Sequence, residues 1–411
     1  MADPQSTLRF LLEYYSNLKI ESDVHLHEPS ERLLSCLEQL KSHDWVPIKD
    51  TFDILNQLRS SVHTLLPSQS STTLHRQLYT DLCLTLVLTH LLGPPETQDE
   101  ALWLNCIRIL DEAIVFAGAP GERMAHTQHL IKFLQQTKLS GYEPPHSDNI
   151  PLISEDVIRL PPCGSQVSRM SEPDMISFLT QHHKRPFVIP AGVKHWPAIE
   201  LWPSQAYLKT LAGPGRVVPV EIGKDYRVDS WSQEMMEWEA FLQTVENSSD
   251  PIVYLAQHSL LRQFPQLHDD VVVPDLVYYS PPCDDASYLP PGNEDGVIIN
   301  AWLGPRGTVS PAHQDPYFNC YAQVVGRKTV WLAPPGFKKE MYPLPSHSDL
   351  SNTTSLDVFN PDFDKYPLFQ SEVLKKSMAV ALQPGDLLFF PPRWWHAMRS
   401  EDTSFSVSFW F

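Results

Sequence analysis

The chain has 411 residues, enough for two domains, and 42% of them are apolar, enough to form a sizeable core. Its 31 basic and 49 acidic residues give a formal net charge of −18 at pH 7. This acidity argues against broad binding to nucleic-acid phosphates. It is compatible with a basic protein partner, or simply with high solubility.

The cysteines and the first residues predict where the protein is found. Six cysteines are scattered without a C-x-x-C pair, which is typical of a reduced intracellular protein. The opening MADPQSTLRF lacks the basic start and apolar run of a signal peptide. The longest apolar stretch, Leu82–Leu92, is interrupted by polar residues and is too short to span a bilayer. We therefore expect a soluble protein of the nucleus, the cytoplasm or both, without membrane contact.

Residues 1–138 carry the apolar spacing of helices. Within Trp103–Ala117, apolar side chains recur every three or four residues, and Gly118 and Pro120 follow as stop signals. No polar constellation in this part suggests chemistry, so we predict an all-helical interaction module. The same spacing predicts further helices at Leu33–Leu40, Phe52–Leu65, Leu78–Leu92 and Leu130–Leu134.

A change of pattern marks the second half of the chain. The proline-rich segment 139–165 predicts a linker, in which Val157–Leu160 reads as a short strand of the next domain. From residue 166 a helix is predicted at Pro173–His182, followed by short β-rich runs between Gly/Pro turns, a pattern typical of a sandwich or barrel. These runs are RPFVIP and residues 217–223, 251–258, 296–304, 320–325, 328–334, 378–383, 386–391 and 404–411.

The turns and long loops between these runs also lead to predictions. Gly326-Arg327 and Gly385-Asp386 are expected to form hairpin turns. Residues 280–295 and 336–375 fit no strand pattern and are rich in Pro, Ser and Asp. Long loops in a compact domain are usually functional or disordered, and we predict loops that face the substrate.

One H-x-D pair stands out by its context. His313 and Asp315, in TVSPAHQDP, follow a strand-like run, and residues two apart in an extended segment point to one side. Both side chains can therefore face the same interior. The other three pairs are expected to be exposed loop residues: His146/Asp148, His268/Asp270 and His347/Asp349.

His396 and Lys328 complete the constellation. Two imidazoles and one carboxylate can hold one face of a six-coordinate metal, the arrangement typical of non-haem Fe(II) oxygenases. For His396, in PPRWWHAM, a core-lining histidine is the alternative. Lys328 shares a strand face with Val330 and Leu332, and a buried cation needs an anionic partner, which a carboxylate of 2-oxoglutarate would supply. The alternative is a hairpin-end lysine whose amine reaches solvent.

At this point the chain resembles a known family, the JmjC-domain oxygenases, which have a cupin fold and depend on Fe(II) and 2-oxoglutarate. The similarity covers roughly residues 170–411 and rests on RPFVIPAGVKHWPAIELW, NAWLGPRGTVSPAHQDPYFNCYAQVVGRKTVWLAPP and GDLLFFPPRWWHAMRSEDTSFSVSFWF. The segments PVEIG, YLAQH, INAWLG and SFSVSFWF are most similar to the branch described as protein arginyl hydroxylases and histone lysine demethylases. The resemblance implies an α+β chain, with a helical N-terminal domain (1–138) before a double-stranded β-helix (cupin or jelly-roll) JmjC domain (166–411).

The resemblance also implies roles, position by position. It makes His313, Asp315 and His396 the catalytic Fe(II) ligands, and it places Lys328 on the distal carboxylate of 2-oxoglutarate. The other implied roles are hydrogen bonds to the co-substrate from Tyr254 and Asn319, lining of its pocket by Ser310 and Trp302, closure of the site by Trp410, and contact with the protein substrate by Gln257.

The implied activity is that of a dioxygenase, which uses O2 and 2-oxoglutarate to hydroxylate a protein side chain. We predict an arginine in a basic protein, such as a histone, ribosomal or chromatin-associated protein, and no direct binding of nucleic acid. The same chemistry on an N-methyl group would demethylate a histone lysine, which needs an aromatic cage or a carbonyl-lined pocket; Tyr317, Phe318 and Trp395 could contribute. A non-catalytic cupin adaptor remains an alternative, as does a zinc or manganese cupin, which gives Lys328 no role.

Overall fold

The computed structural model consists of two compact units, Met1–Pro145 with Ala212–Val218, and His146–Leu211 with Pro219–Phe411. Part of the predicted linker, residues 143–149 and 151–153, lies outside the described residues, and the domain boundaries at 138 and 165 remain predictions. The structure describes residues 4–17, 24–41, 49–68, 72–92, 99–142, 150, 154–223, 225, 227, 231–247, 251–283, 285, 288–345 and 350–411.

The described part of the first unit is built from six helices, which contain all five helices predicted from apolar spacing. The helix at the N-terminal end was not predicted. Across the described residues, no helix is long and apolar enough to cross a membrane. The bounds are α1 Pro4–Asn17, α2 Val24–Lys41, α3 Lys49–Leu65, α4 Thr73–Leu92, α5 Glu100–Ala117 and α6 Arg123–Thr137.

The ends of α5 follow from its sequence. The Asp99 side chain accepts a hydrogen bond from the backbone N–H of Leu102 at 2.8 Å, which satisfies one of the free donors at the helix start. Gly118 ends the helix with φ +74, and its N–H donates to the carbonyl of Ile114. Between these ends α5 buries the face formed by Trp103, Cys106, Ile107, Ile109, Leu110, Ala113, Ile114 and Ala117.

Two carboxylates are buried among the described residues of this unit, and each has an arginine partner. Asp81 is fully buried and accepts hydrogen bonds from Arg123 at 2.8 and 2.7 Å and from the Tyr15 hydroxyl at 2.8 Å. Asp111 is also fully buried and accepts two bonds from Arg216, at 2.9 and 2.7 Å. The first pair joins α4 to α6, and the second joins α5 to the segment that contains Arg216, each in bidentate geometry with both charges paired.

The second unit contains short helices and, within the described residues, thirteen strands and most of a fourteenth, Val217–Ile222, whose first two residues belong to the first unit. The helix predicted at Pro173–His182 is present as a short α-helix that continues into a π-helix, Phe178–His182. The α-helices are α7 Met175–Ser177, α8 Ala198–Leu201, α9 Gln205–Ala212, α10 Trp238–Asn247 and α11 Leu260–Gln263. The strands are β1 Ser165–Gln166, β2 Ser168–Arg169, β3 Phe187–Ile189, β4 Val217–Ile222, β5 Ser232–Glu237, β6 Val253–His258, β7 Ile298–Gly304, β8 Val309–Gln314, β9 Asn319–Val325, β10 Lys328–Ala333, β11 Met378–Leu382, β12 Leu387–Phe390, β13 Trp395–Ser400 and β14 Ser404–Trp410.

These strands form two sheets. The smaller sheet has the order β1-β11-β10-β13-β8, and the larger has the order β2-β3-β12-β9-β14-β7-β6-β4-β5. One buried cluster combines Val330 and Met398 of the small sheet with Val188, Tyr321 and Leu388 of the large sheet, so the core lies between the sheets. The predicted α+β class, with helices before a cupin-like β domain, is confirmed.

The two predicted hairpin turns are wrong in one respect. Gly326 and Gly385 do adopt the left-handed conformation, with φ +67 and +93. However, the strands on either side of each turn belong to different sheets. Each turn therefore carries the chain from one sheet to the other. A Cβ at Gly326 would lie 1.9 Å from the carbonyl oxygen of Thr403, so only glycine fits this crossing.

Two strand predictions also differ from the structure. Val157–Leu160 forms no strand; Pro161 and Pro162 follow it, and pairing begins only at Ser165–Gln166, in parallel with β11. Ser232–Glu237 is a strand that was not predicted, because its polar sequence SQEMME carries no apolar alternation.

Much of the long segment 336–375 covers the small sheet, and its role as a substrate-facing loop remains a prediction. The outer face of the small sheet is apolar, with Trp331 and Trp395 both buried, and it needs to be shielded from water. Residues 346–349 lie outside the described part. The described residues that pack on this face are Met341, Leu356, Val358, Tyr366, Phe369 and Val373.

Candidate metal centre

The structure brings together the three residues that the sequence predicted as metal ligands. His313 lies on β8, Asp315 directly follows that strand, and His396 lies on β13, where it is paired with His313. One ligand atom from each residue lies within 4.8 Å of the others. The side chains are 14%, 12% and 4% exposed, respectively. Two nitrogens and one carboxylate oxygen thus converge at a site that is largely shielded from water.

Backbone carbonyls orient both imidazoles. Nδ1 of His313 lies 2.8 Å from the carbonyl oxygen of Pro311, and Nδ1 of His396 lies 3.0 Å from that of Trp394. A carbonyl oxygen can only accept, so these contacts place a hydrogen on Nδ1 of each ring, and in the neutral ring Nε2 keeps its lone pair. The Nε2 atoms lie 3.8 and 3.3 Å from the oxygens of Asp315. Both lone pairs therefore point to the place that a metal would occupy.

The pKa shifts of His313 and Asp315 also favour metal binding. Burial lowers the pKa of His313, and the neighbouring His396 lowers it further. Burial raises the pKa of Asp315, but the attraction of His313 and His396 outweighs it, and the net pKa lies below the usual value. A neutral imidazole and an ionised carboxylate are the protonation states that a metal requires.

Lys328 lies on the inner face of β10 and is 1% exposed, together with the fully buried Val330 and Leu332. Its Nζ donates to the hydroxyl of Tyr321 at 2.9 Å and lies 5.8 Å from the centre of the Tyr254 ring. Burial lowers the pKa of Lys328 to about 7, and no charged neighbour among the described residues contributes to this shift. The amine is therefore a buried donor with neutral partners only.

Unpaired polar atoms line the inner face of the large sheet. Within the described part of the chain, Asn300 Nδ2, Asn319 Oδ1 and Trp410 Nε1 are buried without a hydrogen-bond partner. Strand register places Trp410 opposite Asn319, and Ser408 opposite both Asn300 and Tyr321. Buried polar groups normally have partners, so this face fits a polar ligand.

The other predicted site residues differ in position. Tyr254 is buried and hydrogen-bonded to Ser310, and Trp302 donates from Nε1 to Ser408 at 3.1 Å. Trp410 stacks with Tyr317 at 5.4 Å between ring centres. Gln257 is exposed, at an irregularity of β6 where its φ is +47. The structure thus draws all of them but Gln257 to the inner face.

Sequence reasoning missed three polar residues of this face. Tyr321, which accepts a hydrogen bond from Lys328, lies in the run CYAQVV, where nothing distinguishes it from a tyrosine that only packs. Asn300 lies in the matching run of β7. Glu221 is opposite Tyr254 in the ladder, accepts from Trp231 Nε1 at 3.2 Å, and has its pKa raised by burial. The only sequence feature that could have identified these three residues as part of the inner face is a polar residue within a β-rich run.

One other H-x-D pair can be compared with its prediction. His268 is exposed as expected, but Asp270 is buried, which corrects the prediction. Asp270 accepts from Trp202 Nε1 at 2.8 Å and from the Tyr207 hydroxyl at 2.7 Å, so it has a structural role. The pairs His146/Asp148 and His347/Asp349 lie outside the described residues.

A cavity of about 690 Å³ lies beside the turn that precedes β13. Its volume is in the range of sites that bind small molecules or short peptide segments. Gln314, Arg393 and Trp394, which line it, are sequence neighbours of the candidate ligands. The remaining lining residues are His183, Lys184, Pro282, Cys283, Asp285, Phe318, Pro335, Gly336, Lys338, Pro391 and Pro392.

Comparison with known proteins now identifies the class. The cupin-like domain family matches residues 179–411, more than half of the chain, and the chain belongs to this family. Within it, the relatives place the chain in the JmjC branch, as the sequence resemblance implied.

Three curated relatives illustrate the similarity. Lysine-specific demethylase 8 of Xenopus tropicalis is 41% identical over 229 residues, which cover 56% of this chain and 48% of the relative. Jumonji C domain-containing protein 5 of Drosophila melanogaster is 39% identical, with 60% and 59% covered. Lysine-specific demethylase 8 of Danio rerio is 42% identical, with 56% and 53% covered. The matched part of the chain thus spans about half the length of these relatives.

Proposed function

We propose that this protein is an Fe(II)- and 2-oxoglutarate-dependent dioxygenase that oxidises a C–H bond in a side chain of a basic protein. The observation that carries the proposal is the convergence of His313, Asp315 and His396 in a unit that also buries Lys328, which has no carboxylate partner among the described residues. A zinc or manganese cupin would use the first three residues but has no need for the fourth.

The donor set fits iron. Two imidazole nitrogens with one carboxylate on one face of the metal are the ligands that non-haem Fe(II) oxygenases use, and His313, Asp315 and His396 would hold the ion. When bound together with 2-oxoglutarate and O2, Fe(II) supplies an oxidant that inserts one oxygen atom into a C–H bond while the co-substrate becomes succinate and carbon dioxide. The protein contributes the dry site and the fixed orientation of both imidazoles.

The buried polar face fits 2-oxoglutarate. Lys328 would pair with the distal carboxylate, and Tyr254, Tyr321 and Ser310 would hydrogen-bond to the same end. Asn319 and Trp410 have buried polar atoms that lack partners in the described structure, and a bound co-substrate would satisfy them. These residues would orient the dicarboxylate and exclude water from it.

The choice of side chain determines the product. The relatives named lysine-specific demethylase favour N-methyl-lysine as the substrate, and we adopt demethylation as the first candidate. Oxidation of an N-methyl carbon gives a carbinolamine, which releases formaldehyde and leaves a lysine with one methyl group fewer. A basic substrate such as a histone is compatible with the net charge of −18, and so is a nuclear or cytoplasmic location.

A specific observation keeps arginine hydroxylation as the second candidate. Phe318 stacks with Phe389 and Phe411 in the core, and Trp395 belongs to the cluster outside the small sheet. Phe318 nevertheless lines the cavity beside the site, whereas Trp395 cannot surround a methylammonium group there, so one of the three aromatic residues predicted for a cage is committed elsewhere. A guanidinium needs no cage, and oxidation of a methylene carbon of the arginine side chain would give a stable hydroxyarginine.

One experiment separates these candidates. Purified protein is incubated with Fe(II), 2-oxoglutarate, O2 and histone or ribosomal peptides that carry methyl-lysine or arginine, and succinate and peptide masses are measured. Loss of a methyl group supports demethylation, and gain of one oxygen supports hydroxylation. His313→Ala should abolish both, whereas His268→Ala, which removes an exposed imidazole, should not. If no succinate forms and the two variants behave alike, the oxygenase proposal fails and the adaptor alternative stands.

A further inference from the structure

Asp315 differs from the two candidate histidine ligands in how its backbone is held. β8 ends at Gln314, and its ladder with β13 ends at the pairs His313–His396 and Gln314–Trp395. Both imidazoles therefore belong to residues within the ladder, whereas the carboxylate belongs to the residue that follows it. Contacts other than strand pairing must fix the position of Asp315.

The first of these contacts comes from the turn before β13. The backbone N–H of Arg393 donates to the carbonyl of Asp315 at 2.8 Å, and the carbonyl of Arg393 accepts from Nε2 of Gln314. Arg393 has φ +62, a left-handed conformation that is uncommon for a residue with a side chain. Both backbone polar groups of Arg393 thus bind two consecutive residues of the ligand segment.

The second contact lies on the opposite edge of β8. Nδ2 of Asn352 donates to the carbonyl of Gln314 at 3.0 Å, and the N–H of Gln314 donates back to the carbonyl of Asn352 at 3.1 Å. The neighbouring Thr353 forms an isolated bridge with His313. Asn352 is exposed, so burial of its own side chain does not explain this placement. The residue before Asp315 is therefore held from both sides.

We propose that Gln314 and Asn352 are positioning residues that set the Asp315 carboxylate for metal binding. This inference rests on the proposed metal-binding function, and neither side chain is among the candidate ligands. Removal of partners that orient ligands typically weakens metal affinity about 10- to 100-fold. The effect should appear in the affinity and geometry of the metal rather than in folding. Gln314 contributes one side-chain hydrogen bond, and exposed Asn352 contributes two, the second accepted from the hydroxyl of its neighbour Thr353 at 3.3 Å.

The test uses the full chain and Mn²⁺, which replaces Fe²⁺ without oxidation. Gln314→Met keeps the length of the side chain but removes its amide, and Asn352→Ala removes the second donor. Calorimetry should show Mn²⁺ binding about 10- to 100-fold weaker in each variant. The absorption spectrum of bound Co²⁺ should change, whereas the midpoint of thermal unfolding without metal should stay close to that of the parent protein.

Matched variants keep the proposal falsifiable. Asn293→Ala removes a bond of the same kind, from Nδ2 to the Val297 carbonyl in an exposed loop, and should not weaken Mn²⁺ binding. Arg393→Gly should weaken binding less than Gln314→Met, because both bonds use the main chain of Arg393. The inference is overturned if Gln314→Met binds Mn²⁺ within about threefold of the parent protein. If the parent protein itself binds neither Mn²⁺ nor Fe²⁺, the proposed function fails together with this inference.

Discussion

Buried charges occur in both units of the protein, and Asp81, Asp111 and Lys328 illustrate two kinds of surroundings. In the helical unit, Asp81 and Asp111 are each held by an arginine in bidentate geometry. In the β unit, the amine of Lys328 is equally buried but has a tyrosine hydroxyl and two aromatic rings as neighbours. No carboxylate among the described residues forms an ion pair with it.

This difference distinguishes a buried charge that is paired within the fold from a buried charge that a ligand would pair. A paired buried charge is satisfied within the fold, and removing one partner leaves the other stranded. A buried amine without an anion is costly in the folded protein and becomes favourable only when a ligand supplies the anion. We therefore expect substitutions of Lys328 and of the arginines to act in opposite ways.

The largest effect should come from the candidate metal ligands. Asp315→Ala removes the only carboxylate of the triad, and Mn²⁺ affinity should fall more than about 100-fold, beyond what loss of an orienting partner costs. Calorimetry with Mn²⁺ measures this directly. The control His268→Ala should bind as the parent protein does. Binding by Asp315→Ala within about threefold of the parent protein would contradict the assignment of the site.

The next effect is on the free energy of unfolding, and its sign differs between Arg123 and Lys328. Arg123→Met leaves Asp81 buried without its cation, and the free energy of unfolding should fall by about 3–5 kcal/mol. Lys328→Met removes a buried amine without an anionic partner, so the ligand-free protein should be at least as stable as its parent. Urea unfolding of both variants measures the contrast. A comparable loss of stability in both would show that Lys328 is structural.

Lys328→Met should nevertheless weaken co-substrate binding. Loss of one partner from a buried charge pair costs about 2–5 kcal/mol, so the dissociation constant of 2-oxoglutarate should rise about 30-fold or more. Mn²⁺ affinity should not change, because Lys328 is not a ligand. Lys376→Met, which removes an exposed amine, is the matched control. Unchanged 2-oxoglutarate affinity in Lys328→Met would remove this residue from the site.

The smallest effect is a dependence on pH. Burial lowers the pKa of Lys328 to about 7 from 10.5, and a bound carboxylate would raise it again. The affinity for 2-oxoglutarate should therefore be greatest below pH 7 and fall up to about tenfold per unit above it. The ligand-free protein should instead gain stability between pH 7 and 10.5, where only the unfolded chain holds this proton.

Calorimetry in buffers with different ionisation enthalpies measures this proton uptake. At pH 8, the parent protein should take up a proton when 2-oxoglutarate binds. Lys328→Met should take up none, and its affinity should lack the decrease above pH 7. A parent protein whose affinity and proton uptake do not vary between pH 6.5 and 8.5 would disagree with a buried, ligand-paired amine.

Much of the fold follows from patterns that the sequence displays. Apolar spacing located the helix Trp103–Ala117, and short β-rich runs located most strands. The pairing of strands could not be predicted, because a left-handed glycine such as Gly326 serves equally in a hairpin and in a crossing between sheets. The cover over the small sheet was also missed, since the apolar residues of 336–375 follow no regular period.

The residues of the candidate site could likewise be predicted from the sequence only in part. Alternation along β10 predicted that Lys328 faces inward with Val330 and Leu332, and the structure places it there. The partner of Lys328, Tyr321, could not be identified, because nothing in a run such as CYAQVV distinguishes a tyrosine that packs from one that accepts a hydrogen bond. Strand register decides which polar residues meet, and register depends on the whole sheet.

The central claim is that one site takes a metal and 2-oxoglutarate together. Equilibrium dialysis of labelled 2-oxoglutarate under anaerobic conditions, with and without Fe(II), tests it most directly. We expect one equivalent to bind to the parent protein when Fe(II) is present, and far weaker binding without the metal or in His313→Ala. Equally tight binding in all three cases would contradict the claim, and so would no binding in any of them.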